Sequence, residues 1–444
     1  MSKSTLQVLT LTDRQQSIYD AVIHKIDNFP GRYTCTIEGY AGTGKSTLIS
    51  QIAKRVSHGY SIAMTSPTHK ANSVLRKMMV NTGVKSNQYT VGTIHSFLGL
   101  KLVNEQNRQV LKLDPKAKNK NTYVDVLIID ECSMVSDELY EYIMEQAYRV
   151  RRALIFIGDS AQLPPVDTEH SNETKLSPTF NITEKYSLTE VLRQALDNPI
   201  ISIATKIREC IGTNNDPLQY LYSISDNGAI MNVDDENLFL DSYLEHVRTT
   251  SASRLFDNVT DNKILAYTNH RVNEANVFVR YNLFPDADAE FIQGEPIVIE
   301  SRTENCPYMV QEMLQCPELQ PESFMGIKCW QMRTTEGDYI LAVGPESRVR
   351  YEEMLQQMVR DINSKKVTNP LTNKLYSWQD YYAVKERVNI INYPYATTVH
   401  KSQGSTFDNT WFDTGYIRNI QDNDTKCRIL YTALTRPRFY IMYR

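Results

Sequence analysis

Gly39-Tyr40-Ala41-Gly42-Thr43-Gly44-Lys45-Ser46 is the stretch on which the reading of this 444-residue chain turns. It fits G-x-x-x-x-G-K-[ST]: the glycines let backbone N–H groups close around phosphates, which needs no side chain and tolerates none. Lys45 then reaches the β and γ phosphates, Ser46 offers its hydroxyl to Mg²⁺, and Gly42, Gly44 and Thr47 line the same cradle. The flanks agree. Residues 33–37 read as a buried strand, and residues 47–53 as a helix with apolar side chains at i, i+1, i+4 and i+5. A Gly-rich turn that only caps a helix is the bland alternative. The pattern implies a nucleoside triphosphate and Mg²⁺ as ligands.

Composition bounds the rest. The length calls for two to four domains. A net charge of −4 argues against a histone-like electrostatic binder but leaves room for a local basic groove. The start has no apolar leader core, no run is long enough to span a bilayer, and no membrane role is expected. Seven cysteines without a C-x-x-C pair imply unpaired thiols and a reduced, cytoplasmic setting.

Strands expected at 33–37, 61–65, 124–130 and 152–158 alternate with helices at 13–28, 45–56, 69–79 and 136–148. That alternation predicts a parallel sheet with helices on both faces. Residues 100–103 and 110–113 break it with a β-hairpin around a polar turn, Asn104 to Arg108. A second α/β layer starts near 190, with a strand at 263–267 and a helix at 270–283. Short strands (296–300, 326–333, 338–343), a charged helix (347–364) and the aromatic cluster Tyr376, Trp378, Tyr381 and Tyr382 then read as an inserted small β domain. The cluster is expected to pack as core, with base stacking as the alternative.

Two further strands end in polar residues. Val126-Leu127-Ile128-Ile129-Asp130-Glu131 delivers two acids to the carboxyl end of a strand, where they sit beside the P-loop. Asp130 suits Mg²⁺ and Glu131 suits an attacking water. Ile155 to Val166 ends in a rigid turn in which Gln162, an amide that both donates and accepts, can sense a γ phosphate.

Together these motifs resemble superfamily 1 helicases of the RecD/Dda-like class, in the family's order and across nearly the whole chain. Leu11 to Gln15 looks like the Q motif, so Gln15 would contact adenine. Residues 66–72 resemble motif Ia, 93–98 motif Ib, 158–166 motif III in its Q-L-P-P form, 188–193 motif IV, 397–408 motif V and 431–436 motif VI. Residues 378–382 are similar to a segment of the phage Dda-like members. The resemblance implies two RecA-like lobes: 1–98 with 122–190, and 191–284 with 386–444, carrying the hairpin at 99–121 as a pin and a small SH3-like β domain at 285–385. It implies transition-state contacts from Arg193 and Arg436, and nucleotide contacts from Gln403 and Gly404. Single-stranded DNA would lie on Thr68, His69, Lys70, Thr93, His95, Asn269, Thr398, His400 and Lys401, since short hydroxyls and imidazoles suit phosphate without base preference.

The implied activity is ATP-driven 5′→3′ translocation on single-stranded DNA and unwinding of forked duplex. The implied setting is phage replication and recombination, as a monomer beside a single-strand-binding protein, in the host cytoplasm if phage-encoded. An RNA helicase and a protein displacer with little unwinding are the rivals. The chain departs from the family in one place: the hairpin turn has no aromatic residue, which leaves Val110 and Leu111 as the nearest apolar wedge.

Overall fold

The computed structural model describes residues 11–105, 108–114, 123–165, 175–191, 198–222, 229–248, 252–303, 306, 308, 310–369 and 372–444. Its chain packs as two compact units. One holds Met1–Met231, Ser402–Thr406 and Ile417–Tyr440; the other holds Asn232–Lys401, Phe407–Tyr416 and Ile441–Arg444. The expected lobe boundaries follow sheet membership, whereas this division follows packing, and it groups 402–406 and 417–440 with the P-loop.

The first unit is built on strands β1 (Tyr33–Gly39), β2 (Ile62–Ser66), β3 (Tyr89–Thr93), β6 (Val124–Ile129), β7 (Val150–Gly158) and β8 (Lys185–Leu188). They form one sheet in the order β3-β2-β6-β7-β1-β8, parallel throughout. Period-two alternation splits each strand between two cores. Val126 and Ile128 face α1 (Asp13–Asn28), α2 (Lys45–Val56) and α3 (His69–Asn81). Leu127 and Ile129 face α4 (Ile94–Leu98) and α5 (Asp137–Glu145). Strands β3 and β8 were not anticipated. Both are short sheet edges, and Tyr-Thr-Val-Gly-Thr and Lys-Tyr-Ser-Leu lack the apolar run that marks a buried strand.

The hairpin is present as β4 (Leu100–Glu105) and β5 (Arg108–Leu113). Its pairing continues to Glu105↔Arg108, so the connection is two residues, not the longer turn expected from Asn104 to Arg108.

In the second unit, the strands Ala396–Thr398, Asn262–Ala266 and Phe407–Phe412 lie side by side and parallel. A further sheet joins Met313–Gln315, Pro296–Ser301, Asn389–Asn392, Tyr339–Val343, Ile327–Arg333 and Glu318–Phe324, mostly antiparallel. The helix Pro345–Ser364 covers it through Tyr351. The aromatic cluster corrects the expectation of core. The helix Trp378–Lys385 buries none of its residues, and Trp378 is 48 % exposed. The three rings of Trp378, Tyr381 and Tyr382 contact one another instead. All seven cysteines are free and buried. Among the described residues no helix is long and apolar enough to cross a membrane.

Candidate functional site

The P-loop turns between β1 and α2 on Gly42 and Gly44, both at φ 76°, where a Cβ is strongly disfavoured. Gly44 is the N-cap of α2 and brings no side chain to it, so the first-turn N–H groups are left for an anion. Ser46 and Thr47 lie in that first turn. Lys45 folds back and donates its Nζ to the carbonyls of Gly39 (2.5 Å) and Tyr40 (3.0 Å). Gln15 is buried against the same loop: its Oε1 accepts from the Thr12 N–H (3.0 Å) and its Nε2 donates to the Thr43 carbonyl (2.9 Å). The amide expected to read adenine thus also fixes the loop.

Strand β6 ends at the two acids. The Asp130 carboxylate accepts the Glu131 N–H at 2.9 Å. Burial, with the Glu131 carboxylate next, pushes Asp130 above the usual carboxylate range. Glu131 sits at φ 52°, ψ 42°, a left-handed conformation that costs a non-glycine residue about 1 kcal/mol or more. Among the described residues no cluster of three or more His, Cys, Asp or Glu could hold a metal alone. Magnesium does not need one: it keeps waters and shares substrate phosphates, taking only one or two protein oxygens. A hydroxyl (Ser46) and a half-buried carboxylate (Asp130) fit that donor set.

The turn after β7 is clasped by motifs V and VI of the same unit. The Leu163 N–H donates to Thr432 Oγ1 (3.1 Å), and Gln403 Nε2 donates to the Leu163 carbonyl (2.9 Å). Arg428 donates to the carbonyls of Ser160 and Gln162. Gln162 lies within this clasp at 5 % exposure, and among the described residues its Oε1 has no partner. Arg436 is also buried. It donates to the carbonyls of Thr432 (3.0 Å) and Ser405 (3.0 Å), more weakly to that of Ser402 (3.5 Å), and to Thr435 Oγ1 (2.9 Å). Among the described residues no carboxylate is ion-paired with it, and burial lowers its pKa from the usual guanidinium value. Arg193 lies outside the described residues.

A second cluster was not anticipated. Asp159, fully buried, accepts from the Tyr431 hydroxyl at 2.5 Å and from Arg208 Nη1. Arg208 also reaches Glu38 (3.4 Å) and lies 3.7 Å over the Tyr40 ring. The Tyr431 hydroxyl in turn accepts the Ala41 N–H at 2.9 Å, so one phenol joins the P-loop backbone to motif III. Arg208 ends the helix Pro199–Glu209, far in sequence from either motif. No spacing rule marks it, and a single arginine after an apolar stripe carries no signal.

The expected nucleic-acid residues gather at strand ends in each unit separately. In the first, Thr68 caps α3 by accepting the Ala71 N–H, and Thr93 caps α4 by accepting the Ser96 N–H. His69 and Lys70 open α3. Burial and then the charge of Arg436 push Lys70 down to about 8, and burial and then His69 hold His95 below the usual imidazole value. Gly404 meets this cap: at φ +70° its missing Cβ would lie 2.9 Å from that of Ala71. In the second unit, Asn269 opens the helix Asn269–Leu283, and Thr398 Oγ1 accepts the Lys401 N–H at 3.1 Å. The His400 ring is 5.8 Å from Tyr267, which stacks on exposed Tyr416 at 5.6 Å. Lys401 faces Glu300 at 3.9 Å.

Residues 10–235 match the AAA domain family, and residues 393–438 match the UvrD-like helicase C-terminal domain. The ATP-dependent DNA helicase dda of Enterobacteria phage T4 is 26 % identical to this chain over 467 positions, covering 98 % of this chain and 99 % of that protein. The ATP-dependent DNA helicase PIF1 of Emericella nidulans is 30 % identical over 204 positions, covering 42 % of this chain and 25 % of that protein. The fold is similar to that of a Bacteroides Pif1 helicase in complex with ADP-AlF3 and single-stranded DNA: TM-score 0.52 at 17 % identity, covering 98 % of this chain and 92 % of that one.

Proposed function

The chain belongs to the AAA domain family and is a superfamily 1 helicase of the Dda- and Pif1-like kind; from that premise we propose that it hydrolyses ATP to move 5′→3′ along single-stranded DNA and open forked duplexes. One observation carries the reading. Within one unit, a P-loop and two strand-end acids are joined by Arg436, which among the described residues has no carboxylate partner, and by the buried amide of Gln162. A γ phosphate supplies the anion that the arginine lacks and an acceptor for the Gln162 amide nitrogen.

The chain's own steps follow. Lys45 leaves the Gly39 and Tyr40 carbonyls for the β and γ phosphates, and the first turn of α2 takes the β phosphate on its N–H groups. Ser46 and Asp130 would hold Mg²⁺, which would neutralise charge on the phosphate oxygens. Glu131, held in its strained conformation, orients and polarises the attacking water. Gln162 reads the γ phosphate through its amide. Arg436 and Arg193 stabilise the charge that develops as the phosphoryl group transfers. Gln403 and Gly404 act through their neighbours, Leu163 and Ala71. Gln15 keeps the loop in place and meets adenine.

On the DNA side, Thr68, His69, Lys70, Thr93 and His95, and in the other unit Asn269, Thr398, His400 and Lys401, take phosphates without reading bases. The hairpin is the strand separator. The lobes are as the sequence divides them, 1–190 and 191–444 with their insertions. The protein acts as a monomer, with a single-strand-binding protein nearby, in replication and recombination of a phage within the host cytoplasm. Unwinding of 5′-tailed against 3′-tailed duplexes tests this directly: activity on the 3′ tail alone overturns the polarity. Stimulation of ATPase by poly-U as strong as by poly-dT would favour RNA, which is told from DNA by its 2′-OH.

A further inference from the structure

We infer that α5 is a brace for the hairpin, with Glu138 and Tyr142 as the positioning residues that turn a weak two-stranded ribbon into a rigid wedge. An isolated two-stranded hairpin is marginally stable in water. Its outer edges also carry unpaired N–H and C=O groups, which leave it free to twist. Here one outer edge is not unpaired. The Leu111 N–H donates to the Glu138 carboxylate at 3.0 Å, and the Tyr142 hydroxyl donates to the Leu111 carbonyl at 3.0 Å. Both backbone groups of Leu111 thus point away from β4 and into α5. Glu138 and Tyr142 are four apart, so they stand one turn above the other on one helix face.

Side chains anchor the same point. Leu100 and Leu111 are buried in one core with Leu139 and Ile143 of α5. The ribbon is closed at its root by the Asp114 N–H donating to the Gly99 carbonyl at 2.7 Å. Leu111 is therefore an anchor and not the wedge that the sequence suggested. Strand β6 is followed by Asp130 and Glu131, then by a turn at Cys132–Met134 with Cys132 and Ser133 buried, and α5 starts at Asp137. Five residues separate the water-polarising acid from the helix that grips the ribbon.

This inference rests on the reading of the hairpin as strand separator, and the test keeps the two apart. The variants are Tyr142→Phe with Glu138→Ala, Glu138→Gln alone, and a chain with the hairpin shortened at its turn. Amide exchange over residues 99–114 is measured first, then forked-duplex unwinding, single-strand translocation and DNA-stimulated ATPase. In the double variant, exchange at β4 and β5 should rise at least tenfold and unwinding should fall at least fivefold. Translocation and ATPase should stay within twofold. Glu138→Gln should behave as wild type, because its amide oxygen still accepts the Leu111 N–H. Unchanged exchange or unchanged unwinding in the double variant overturns the brace, and so does a parallel fall of all three activities. If the shortened hairpin unwinds as wild type does, the strand-separation reading is what fails.

Discussion

Arg436 is where stability and catalysis should separate most cleanly. Replacing it by methionine keeps most of the volume and removes the charge. Of its four acceptors, the Thr432 carbonyl keeps the Thr435 hydroxyl (2.9 Å), and the Ser402 carbonyl keeps the Ser405 N–H (3.0 Å). The Ser405 carbonyl loses its donor, which costs about 1–3 kcal/mol when buried. Against that stands the relief of a buried guanidinium with no carboxylate partner, since replacing buried charge by apolar volume is often neutral or favourable by about 1–4 kcal/mol. The two nearly cancel, so folding stability should change by less than about 2 kcal/mol. The transition state has no such offset. Loss of an arginine at the transferring phosphoryl group costs on the order of 10³ in kcat, or about 4 kcal/mol. DNA-stimulated ATPase, a nucleotide-binding titration and thermal melting of Arg436→Met check this together. The expected result is a melting point within about 6 °C of wild type, near-normal ATP affinity and a kcat about a thousandfold lower. Wild-type turnover would make Arg436 a structural staple of motifs V and VI and refute the argument.

The other expectations are shorter. Lys45→Ala should abolish hydrolysis by removing the cation from the β and γ phosphates, whereas Glu131→Gln should bind ATP normally and hydrolyse it slowly; equal turnover by Glu131→Gln and wild type would remove that acid from the reaction. Gly404→Ala combines a left-handed φ with a 2.9 Å approach to Ala71, so it should cost about 1–3 kcal/mol and weaken single-stranded DNA binding at the α3 cap. Glu295→Ala strands Arg280, whose side chain is 2 % exposed and paired with Glu295, and should destabilise the second unit by about 3–5 kcal/mol in denaturant melts. His95 is held below the usual imidazole value by burial, so the unfolded chain takes up the proton first. Its stability contribution is complete above about pH 6.5 and falls as pH drops through the folded value, and His95→Gln should flatten the melting-point profile between pH 7 and 5.

Much of the first unit was legible because its chemistry is local. Strands β6 and β7 are apolar runs followed by the residues the site needs, and a run of that kind between helices suits a strand buried on both faces of a parallel sheet. Helices α1 and α2 begin and end where the sequence puts them, the first because Thr12 and Gln15 form a reciprocal cap. What was not legible is what depends on a partner distant in the chain. Tyr376 to Tyr382 has the composition of a core. The helix Trp378–Lys385 nevertheless satisfies its rings against each other, and no local pattern distinguishes the two outcomes.

The same division runs through the site. Lys45, Asp130, Glu131 and Gln162 are picked out by short motifs, because each lies just past the end of a strand. Arg208 and Tyr431 act by joining strand ends: Tyr431 accepts from Ala41 and donates to Asp159, and Arg208 ties Asp159 to Glu38 and Tyr40. Arg208 carries no signature, and the motif VI match that contains Tyr431 does not show what its phenol joins, since what selects these contacts is a distance between elements. They are also the ones able to make the P-loop feel motif III. Ala41 is in the phosphate cradle, so a nucleotide that draws on its N–H must compete with the Tyr431 hydroxyl, and Asp159 registers the change through the same phenol. Tyr431→Phe keeps the ring and removes only that competition and that message. ATP affinity should therefore hold or tighten, while the stimulation of hydrolysis by single-stranded DNA declines severalfold. A variant that loses ATP affinity and keeps full stimulation would show that the phenol serves the cradle alone.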